Sequence, residues 1–117
     1  MKFEESMELP VIVVASGVLL PGASLKIPIK SKLNTRTIEQ HLTRGGSNYV
    51  VIAYKLSTDK IYNVATIAYI EKLFGWTFNS TTNYSLDVIG LHRANIDKLS
   101  LPTCRVSKIE DSSERGK

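Results

Sequence analysis

The most constraining feature of the chain is an apolar stretch at residues 9–29, LPVIVVASGVLLPGASLKIPI, interrupted at Gly17 and closed by Pro21 and Gly22. Residues 9–14 are almost continuously apolar, which is typical of a strand buried on both faces. Residues 25–29 alternate between apolar and mostly basic side chains, which predicts a strand with one buried face. We therefore expect residues 9–29 to form the first hairpin of a β core, with Pro28 at a sheet edge because proline has no N–H to donate.

The remaining chain continues this pattern with one exception. Asn34 is a candidate N-cap for a short helix over residues 34–45, which Gly45 and Gly46 would end. Gly90 interrupts a strand pattern, so a bulge or a close backbone approach is expected there. The fold class is mostly β (α+β), with about six strands and one short helix; beyond residue 29 we expect strands at 49–54, 64–73, 84–92 and 99–109, a turn at 57–60 and a loop at 74–83.

Length and composition predict one soluble domain. With 117 residues the chain has material for a single core. We expect a flexible tail at 1–8, the domain at 9–109 and a disordered polar tail at 110–117. Cys104 is the only cysteine, which suits an intracellular protein, and no apolar run is long enough for a signal sequence or a membrane span.

Motifs for catalysis, metals and nucleotides are weak. Residues 17–22 have the glycine spacing of a phosphate loop, but Ala23 and Ser24 stand where lysine and serine or threonine are needed. His41 and His92 are far apart and lack partners at ligand spacing. We therefore predict no catalytic, metal-binding or cofactor-binding residues in this chain.

Positive charge is concentrated in the first half of the chain. The net charge is +4, and residues 26–60 hold seven basic residues against two acidic ones, a local balance of +5. Such a bias can mark a surface for nucleic acid or an acidic partner. Because these residues are spread over a strand, a helix and loops, we interpret them as a solvated face.

Apolar residues also occupy segments predicted as loops. If they stay exposed together they would form a patch for apolar peptide; the alternative is that they fold back as a lid on the core. The candidates for substrate contact are Leu19, Leu20, Phe74, Trp76 and Phe78.

Several segments together resemble the N-terminal domain of Lon proteases over residues 9–109. The two most specific are Val18-Leu19-Leu20-Pro21-Gly22, of the form V-L-x-P-G, and residues 90–96, of the form G-L-x-R-A-x-I. The segments Leu9-Pro10-Val11, Pro28-Ile29, 34–42 and 64–68 agree in order and spacing. Many family members have a second proline and a Leu-Arg pair where this chain has residues 12–15, Ile-Val-Val-Ala, which is more similar to the peroxisomal branch.

This resemblance implies a PUA-like β barrel at the front of an ATP-dependent serine protease. Such a domain would help select unfolded or damaged polypeptides and support hexamer assembly, without membrane contact. The Walker motifs and Ser-Lys dyad of the family are absent here, so this chain is expected not to be an enzyme, and ATP is expected only in the parent protein. Gly22, Gly90 and Arg93 are expected to be structural, with the Arg93 guanidinium tying loop carbonyls or a carboxylate. The peroxisomal matrix is the expected location, with the mitochondrial matrix or cytoplasm as alternatives.

Two other functions fit parts of the sequence. PUA-like barrels also bind RNA, and the basic segment would suit phosphates, although we expect no nucleic-acid partner. Salt-sensitive binding that falls on charge reversal at Lys26, Lys30 and Lys32 would favour RNA. A stand-alone adaptor of the cereblon kind shares a Lon-like domain, but its zinc-bearing ligand domain needs cysteines that this chain lacks.

Overall fold

The computed structural model describes residues 7–15, 17–43, 48–58 and 60–109. These residues form seven strands and one short helix, which confirms the mostly β fold class. Helix α1 (Lys32–Thr37) continues as a wider π-helical turn, Ile38–Leu42, after which the Thr43 N–H donates to the Ile38 carbonyl. The strands are β1 (Met7–Val14), β2 (Ser24–Ile29), β3 (Tyr49–Ser57), β4 (Lys60–Ile61), β5 (Val64–Phe78), β6 (Thr81–Ser100) and β7 (Thr103–Lys108).

Five strands close into a barrel. They are hydrogen-bonded in the order β1-β7-β6-β5-β3, and β3 pairs in parallel with β1, with Val11 opposite Val51, to complete the ring. β2 pairs with β6 and β4 with β3. The predicted β1–β2 hairpin is therefore wrong, because β3 and β7 occupy the two edges of β1 and β2 crosses to β6 instead.

Two cores lie on opposite sides of the barrel wall. All five barrel strands contribute to one cluster, the barrel core, which includes Val11, Val51, Ile67 and Cys104. The second, the outer core, lies under β2, the helix and the 17–20 loop, and it includes Ile12, Ile27, Ile29, Ile38, Val50, Ile52, Leu86 and Val88. β1 and β3 contribute to both cores, which confirms that the 9–14 strand is buried on both faces. In β2, Ile27 and Ile29 are buried while Pro28 is exposed, as predicted.

The helix begins earlier than predicted and is capped by a different residue. Ser31 is the N-cap, and its hydroxyl oxygen accepts from the Asn34 N–H. Asn34 is buried: its Oδ1 accepts from the Val13 N–H at 2.9 Å and its Nδ2 donates to the Val13 carbonyl at 2.8 Å. The amide thus satisfies both backbone groups of Val13 and docks the helix on β1. The predicted terminators Gly45 and Gly46 lie outside the described residues.

The loop predicted at 74–83 is wrong. β5 runs on to Phe78 and turns directly into β6, with Phe78 opposite Thr81. Asn79 and Ser80 both have positive φ, 51° and 63°, which is the geometry of a two-residue hairpin turn whose twist matches that of the strands. Residues 74–85 form the end of this long hairpin, and we call them the arm.

The boundaries at both ends of the domain also differ from the predictions. β1 starts at Met7, so residues 7 and 8, predicted as part of the N-terminal tail, belong to a strand. The rest of that tail and the tail predicted at 110–117 lie outside the described residues. Leu99 belongs to β6 rather than to the last strand, and β7 starts at Thr103, after a turn at Leu101 and Pro102.

Candidate functional site

Three aromatic side chains form an exposed row along the arm. Phe74, Trp76 and Phe78 are two residues apart in β5 and therefore share one face of the hairpin. Their exposed fractions rise toward the turn, at 42%, 51% and 67%. We call these three residues the aromatic stripe.

The neighbouring strand leaves the stripe uncovered. The residues of β6 opposite the stripe are Ser85, Asn83 and Thr81, which are short and polar. The face of each aromatic ring is thus not covered by a large apolar neighbour across the strand. Apolar side chains exposed together in one row are candidates for a binding surface, whereas apolar residues exposed singly are common on protein surfaces.

Two lysines flank the base of the stripe. The Lys26 ammonium lies 5.4 Å from the centre of the Phe74 ring and that of Lys72 lies 5.9 Å from it, within cation–π range. Asp87 stands between these lysines in the sheet, paired with Lys72 on β5 and Lys26 on β2. Its Oδ1 lies 3.7 Å from the Lys26 ammonium. These three side chains hold two positive charges and one negative charge, so the base of the stripe is positively charged.

The opposite face of the arm is attached to the helix. A Cβ on Gly75 would lie 3.3 Å from the Tyr84 ring, which lies across the glycine. The Tyr84 hydroxyl donates to Glu39 Oε2 at 3.0 Å. Burial, followed by this hydrogen bond and the Glu39 charge, raises the pKa of Tyr84 above its usual value, so the hydroxyl stays a donor at neutral pH. The stripe is therefore presented on a hairpin fixed from behind.

The other two predicted contact residues lie elsewhere and differ from each other. Leu19 is only 2% exposed and packs in the outer core, so its side chain is not part of an exposed apolar surface. Its N–H donates to the Tyr54 hydroxyl at 3.0 Å and its carbonyl accepts from Thr66 Oγ1 at 2.7 Å. Leu20 is 61% exposed and, with Val18, Tyr62 and Arg93, lines a depression of about 390 Å³.

The stripe and this depression are separate surfaces. The Leu20 carbonyl lies against Gly90 of β6, whereas Trp76 pairs with Asn83. Seven residues of strand separate Asn83 from Gly90, which at roughly 3.3 Å per residue is about 20 Å. The five apolar residues predicted to form a single patch therefore do not lie together. Three of them form the stripe, Leu20 lies at the depression, and Leu19 is buried.

Two of the three predicted structural residues hold the 17–22 loop against β6. Gly22 has a φ of +88°, and its N–H donates to the Gly90 carbonyl at 2.8 Å. A Cβ on Gly90 would lie 2.5 Å from the Leu20 carbonyl oxygen, so the expected close backbone approach at Gly90 is confirmed. Arg93 is exposed opposite Thr66, and within the described residues its guanidinium has no recorded hydrogen bond or ion pair; its structural role stays a prediction.

The basic residues of the 26–60 segment surround two clefts. The first, of about 820 Å³, has an apolar floor and is bordered by Lys26, Lys30, Lys55 and Lys60. The second, of about 750 Å³, lies between the helix and the arm tip and is lined by Lys30, Lys32, Arg36 and Glu39 among others. Lys30 borders both clefts, so the two lie next to each other, and the basic side chains are spread around them rather than gathered in one tract.

The described residues contain no group of three or more histidine, cysteine or acidic side chains placed to hold a metal ion. Within the same part of the chain, none of the helical segments has the length and apolarity needed to cross a bilayer. Cys104 is buried in the barrel, and burial, with a smaller effect of the Glu8 charge, raises the pKa of its thiol from 9.0 to about 12. A thiol with so high a pKa is a poor nucleophile at neutral pH.

The sequence contained a signal for the arm. Phe74, Trp76 and Phe78 alternate with small residues, which is the period of a strand, and Asn79-Ser80 is a possible two-residue turn. This alternation predicts that the strand continues to Phe78, and the loop predicted at 74–83 does not take it into account.

Comparison with known proteins gives a consistent family. A family model described as the ATP-dependent protease La (LON) substrate-binding domain matches residues 8–117. Over 115 residues the chain is 96% identical to a Caenorhabditis briggsae protein and 79% identical to a Caenorhabditis elegans protein, both named Lon protease homolog 2, peroxisomal. These matches cover 98% and 97% of this chain but only 15% of each relative.

Solved structures share the fold. The N-terminal domain of the Mycobacterium avium complex Lon protease superposes with a TM-score of 0.64 at 21% identity, over 90% of this chain and 55% of that one. A Lon N-terminal domain protein from Xanthomonas campestris gives a TM-score of 0.65 at 22% identity, over 89% of this chain and 60% of that one. At these identities the likeness concerns the fold alone.

Proposed function

Because the chain belongs to the substrate-binding domain family of ATP-dependent Lon proteases, we propose that it binds unfolded or damaged polypeptides and that the aromatic stripe is the surface that holds them. Family membership confirms the resemblance carried by residues 18–22 and 90–96. Family membership alone does not identify the binding surface on the domain or the molecules that bind there. The observation that carries it is the row of three exposed aromatic side chains on a hairpin fixed from behind.

Unfolded chains differ from folded ones in exposing apolar side chains, so a surface that selects them should offer apolar area without a specific shape. Phe74, Trp76 and Phe78 provide this area, and aromatic residues are among the groups that contribute most to binding energy when a partner covers them. Lys26 and Lys72 at one end add a preference for acidic residues there. The depression beside Leu20 is a candidate second contact, about 20 Å away along the strand.

The role of the whole protein is part of the same proposal. The chain spans about 15% of the length of its named relatives. We place peptide hydrolysis, ATP use and hexamer assembly in the parent protein, of which this domain would form the substrate-selecting part. The names of the relatives support the peroxisomal matrix as its location.

Trp76 is the only tryptophan in the chain and lies within the stripe, which makes it a local reporter. The 117-residue chain is titrated with a permanently unfolded, tryptophan-free protein at low and at high salt. We expect a shift in Trp76 emission that persists at high salt, because apolar contacts are not screened. Phe78→Ala should weaken binding at least about fivefold, whereas Leu56→Ala, an exposed site on β3 outside both surfaces, should change it by less than about twofold.

A parallel titration with single-stranded RNA tests the RNA-binding alternative. Binding to RNA alone, lost at high salt, would replace the proposal with a nucleic-acid function. If neither ligand binds, by Trp76 emission and by a label placed far from the arm, the proposal is wrong and an assembly role becomes the better explanation.

A further inference from the structure

Along the arm, the outer edge of β5 has no pairing strand within the part of the chain that the structure describes. The pairing of β5 with β3 ends at Tyr69, and the next residue, Ile70, donates its N–H to the Asn48 carbonyl. From residue 71 to 78, among the described residues, β6 is the only strand that pairs with β5. Among the described residues, nothing pairs with the other side of this strand over that range.

The register identifies these backbone groups. In a hairpin with a two-residue turn, the residues flanking the turn exchange both hydrogen bonds, so the N–H and C=O of Phe78 point toward β6. The direction alternates along an antiparallel strand. Trp76 and Phe74 therefore also bond to β6, and the N–H and C=O groups of Thr77, Gly75 and Leu73 point away from it.

This edge lacks the usual protection against strand pairing. Natural edges are blunted by prolines, bulges or inward-pointing charges. A register shift occurs at residue 71 and a lysine follows at Lys72, but residues 73–78 contain no proline, bulge or charge.

We propose that the arm binds an extended polypeptide by strand addition, with the polypeptide pairing along the edge at residues 73–77 and its side chains packing beside the aromatic stripe. The outward N–H and C=O groups need a partner that offers acceptors and donors at strand spacing, which is the backbone of an extended chain. This inference rests on the proposed function and specifies how the same site recognises its substrate.

Strand addition also determines which segments bind best. A residue directly opposite Trp76 in the added strand projects to the same face, so apolar side chains at alternate positions would lie against the stripe. The position opposite Lys72 would favour an acidic residue. The backbone bonds require no particular side chain, which suits a domain that must accept many unfolded sequences.

Backbone methylation of a peptide ligand tests this mode directly. The probe is a seven-residue peptide without tryptophan, with valine or leucine at alternate positions and one glutamate at its C-terminal end, which lies near Lys72 only when the peptide runs antiparallel to β5. Two methylated versions are made. In one, the N-methyl groups replace the N–H groups along one edge of the extended peptide; in the other, they replace those along the opposite edge. Only one edge faces the arm, so we expect one version to bind at least about tenfold more weakly and the other to bind like the parent.

A matched pair of protein variants tests the same bonds from the other side. Thr77→Pro removes an outward N–H from the binding edge, whereas Thr82→Pro removes one from the opposite edge of the same residue pair. We expect about tenfold weaker peptide binding for Thr77→Pro and a change of less than about twofold for Thr82→Pro. Protection of Cys104 from a thiol reagent shows that each variant is folded.

The possible outcomes separate this inference from the proposed function. If both methylated peptides bind like the parent and Phe78→Ala still weakens binding, the stripe binds substrate but strand addition is wrong. If the parent peptide fails to bind, or Phe78→Ala has no effect, the proposed function itself is wrong. If light scattering shows a dimer that Thr77→Pro dissociates, the occupant of the edge is a second copy of this chain, which also overturns the inference.

Discussion

The two halves of the long β5–β6 hairpin follow the same backbone geometry but have opposite surroundings. In the barrel half, Ala65, Thr66, Ile67 and Ala68 are successive buried residues, covered on both faces and on both edges. In the arm, residues 74–78 are exposed, one edge has no pairing strand among the described residues, and only the face toward the helix is attached. The barrel half is therefore determined by packing, whereas the arm keeps an apolar face and an edge available for another molecule.

The chain contains one natural reporter in each region. Cys104 is 1% exposed in the barrel core, and Trp76 is half exposed in the arm. Thiol labelling of Cys104 measures opening of the barrel, and emission from Trp76 measures contact at the stripe. Substitutions can therefore be assigned to one region or the other without added labels.

The largest effect should come from the barrel wall. Ile52→Ala removes a fully buried side chain of the outer core, and we expect the free energy of unfolding to fall by about 2–5 kcal/mol. Urea unfolding followed by circular dichroism measures the change. Leu56→Ala, an exposed position on the same strand, should cost less than about 0.5 kcal/mol. Equal effects at the two sites would contradict the packing described for β3.

The second prediction makes the same substitution in both regions. A Cβ on Gly90 would meet the Leu20 carbonyl oxygen at 2.5 Å, and this oxygen is held in place because it accepts from the Ala23 N–H at 3.0 Å. We expect Gly90→Ala to lower the free energy of unfolding by about 1–3 kcal/mol. The tightest contact of a Cβ on Gly75 would be with the Tyr84 ring, at 3.3 Å, and this side chain can shift. Gly75→Ala should cost less than about 1 kcal/mol, and a larger loss than at Gly90 would reverse the comparison.

The third prediction uses pH to test the barrel alone. Burial raises the pKa of Cys104 from 9.0 to about 12, so between these values the folded state holds a proton that the unfolded state loses. The contribution of the protonated thiol to the free energy of unfolding is complete below pH 9. It decreases as pH rises and is smaller by about 1.4 kcal/mol at pH 10. Urea midpoints at pH 8 and pH 10 should therefore differ more in the natural chain than in Cys104→Ala. An identical pH dependence in the two proteins would contradict the burial of the thiol.

The sequence predicted the regions where periodicity and burial coincide. The apolar alternation at 25, 27 and 29 identified the buried face of β2, and the unbroken apolar run at 9–14 identified a strand covered on both sides. It failed where the deciding partner is distant in the chain. β2 crosses to β6 rather than pairing with β1, and Asn34 bonds to Val13 of β1 instead of capping its helix.

The candidate site shows the same limit. Composition identified Phe74, Trp76 and Phe78 as apolar residues without an obvious core position, and they are exposed. Leu19 had the same composition signal but is buried, because Tyr54 and Thr66, 35 and 47 residues away in the chain, hydrogen-bond its backbone. No local pattern around Leu19 distinguishes it from Leu20.

The smallest effect on stability should come from the arm, and it is the most informative about function. Phe78 is 67% exposed next to the turn, so Phe78→Ala should change the free energy of unfolding by less than about 0.5 kcal/mol and leave Cys104 labelling unchanged. The same variant should weaken binding of an unfolded protein, because the side chain contributes its apolar area only when a partner covers it. Urea unfolding and peptide titration of the same sample measure both quantities. A stability loss above about 1 kcal/mol would mean that Phe78 packs within the domain, and the arm would then be an extension of the core rather than a surface kept for another chain.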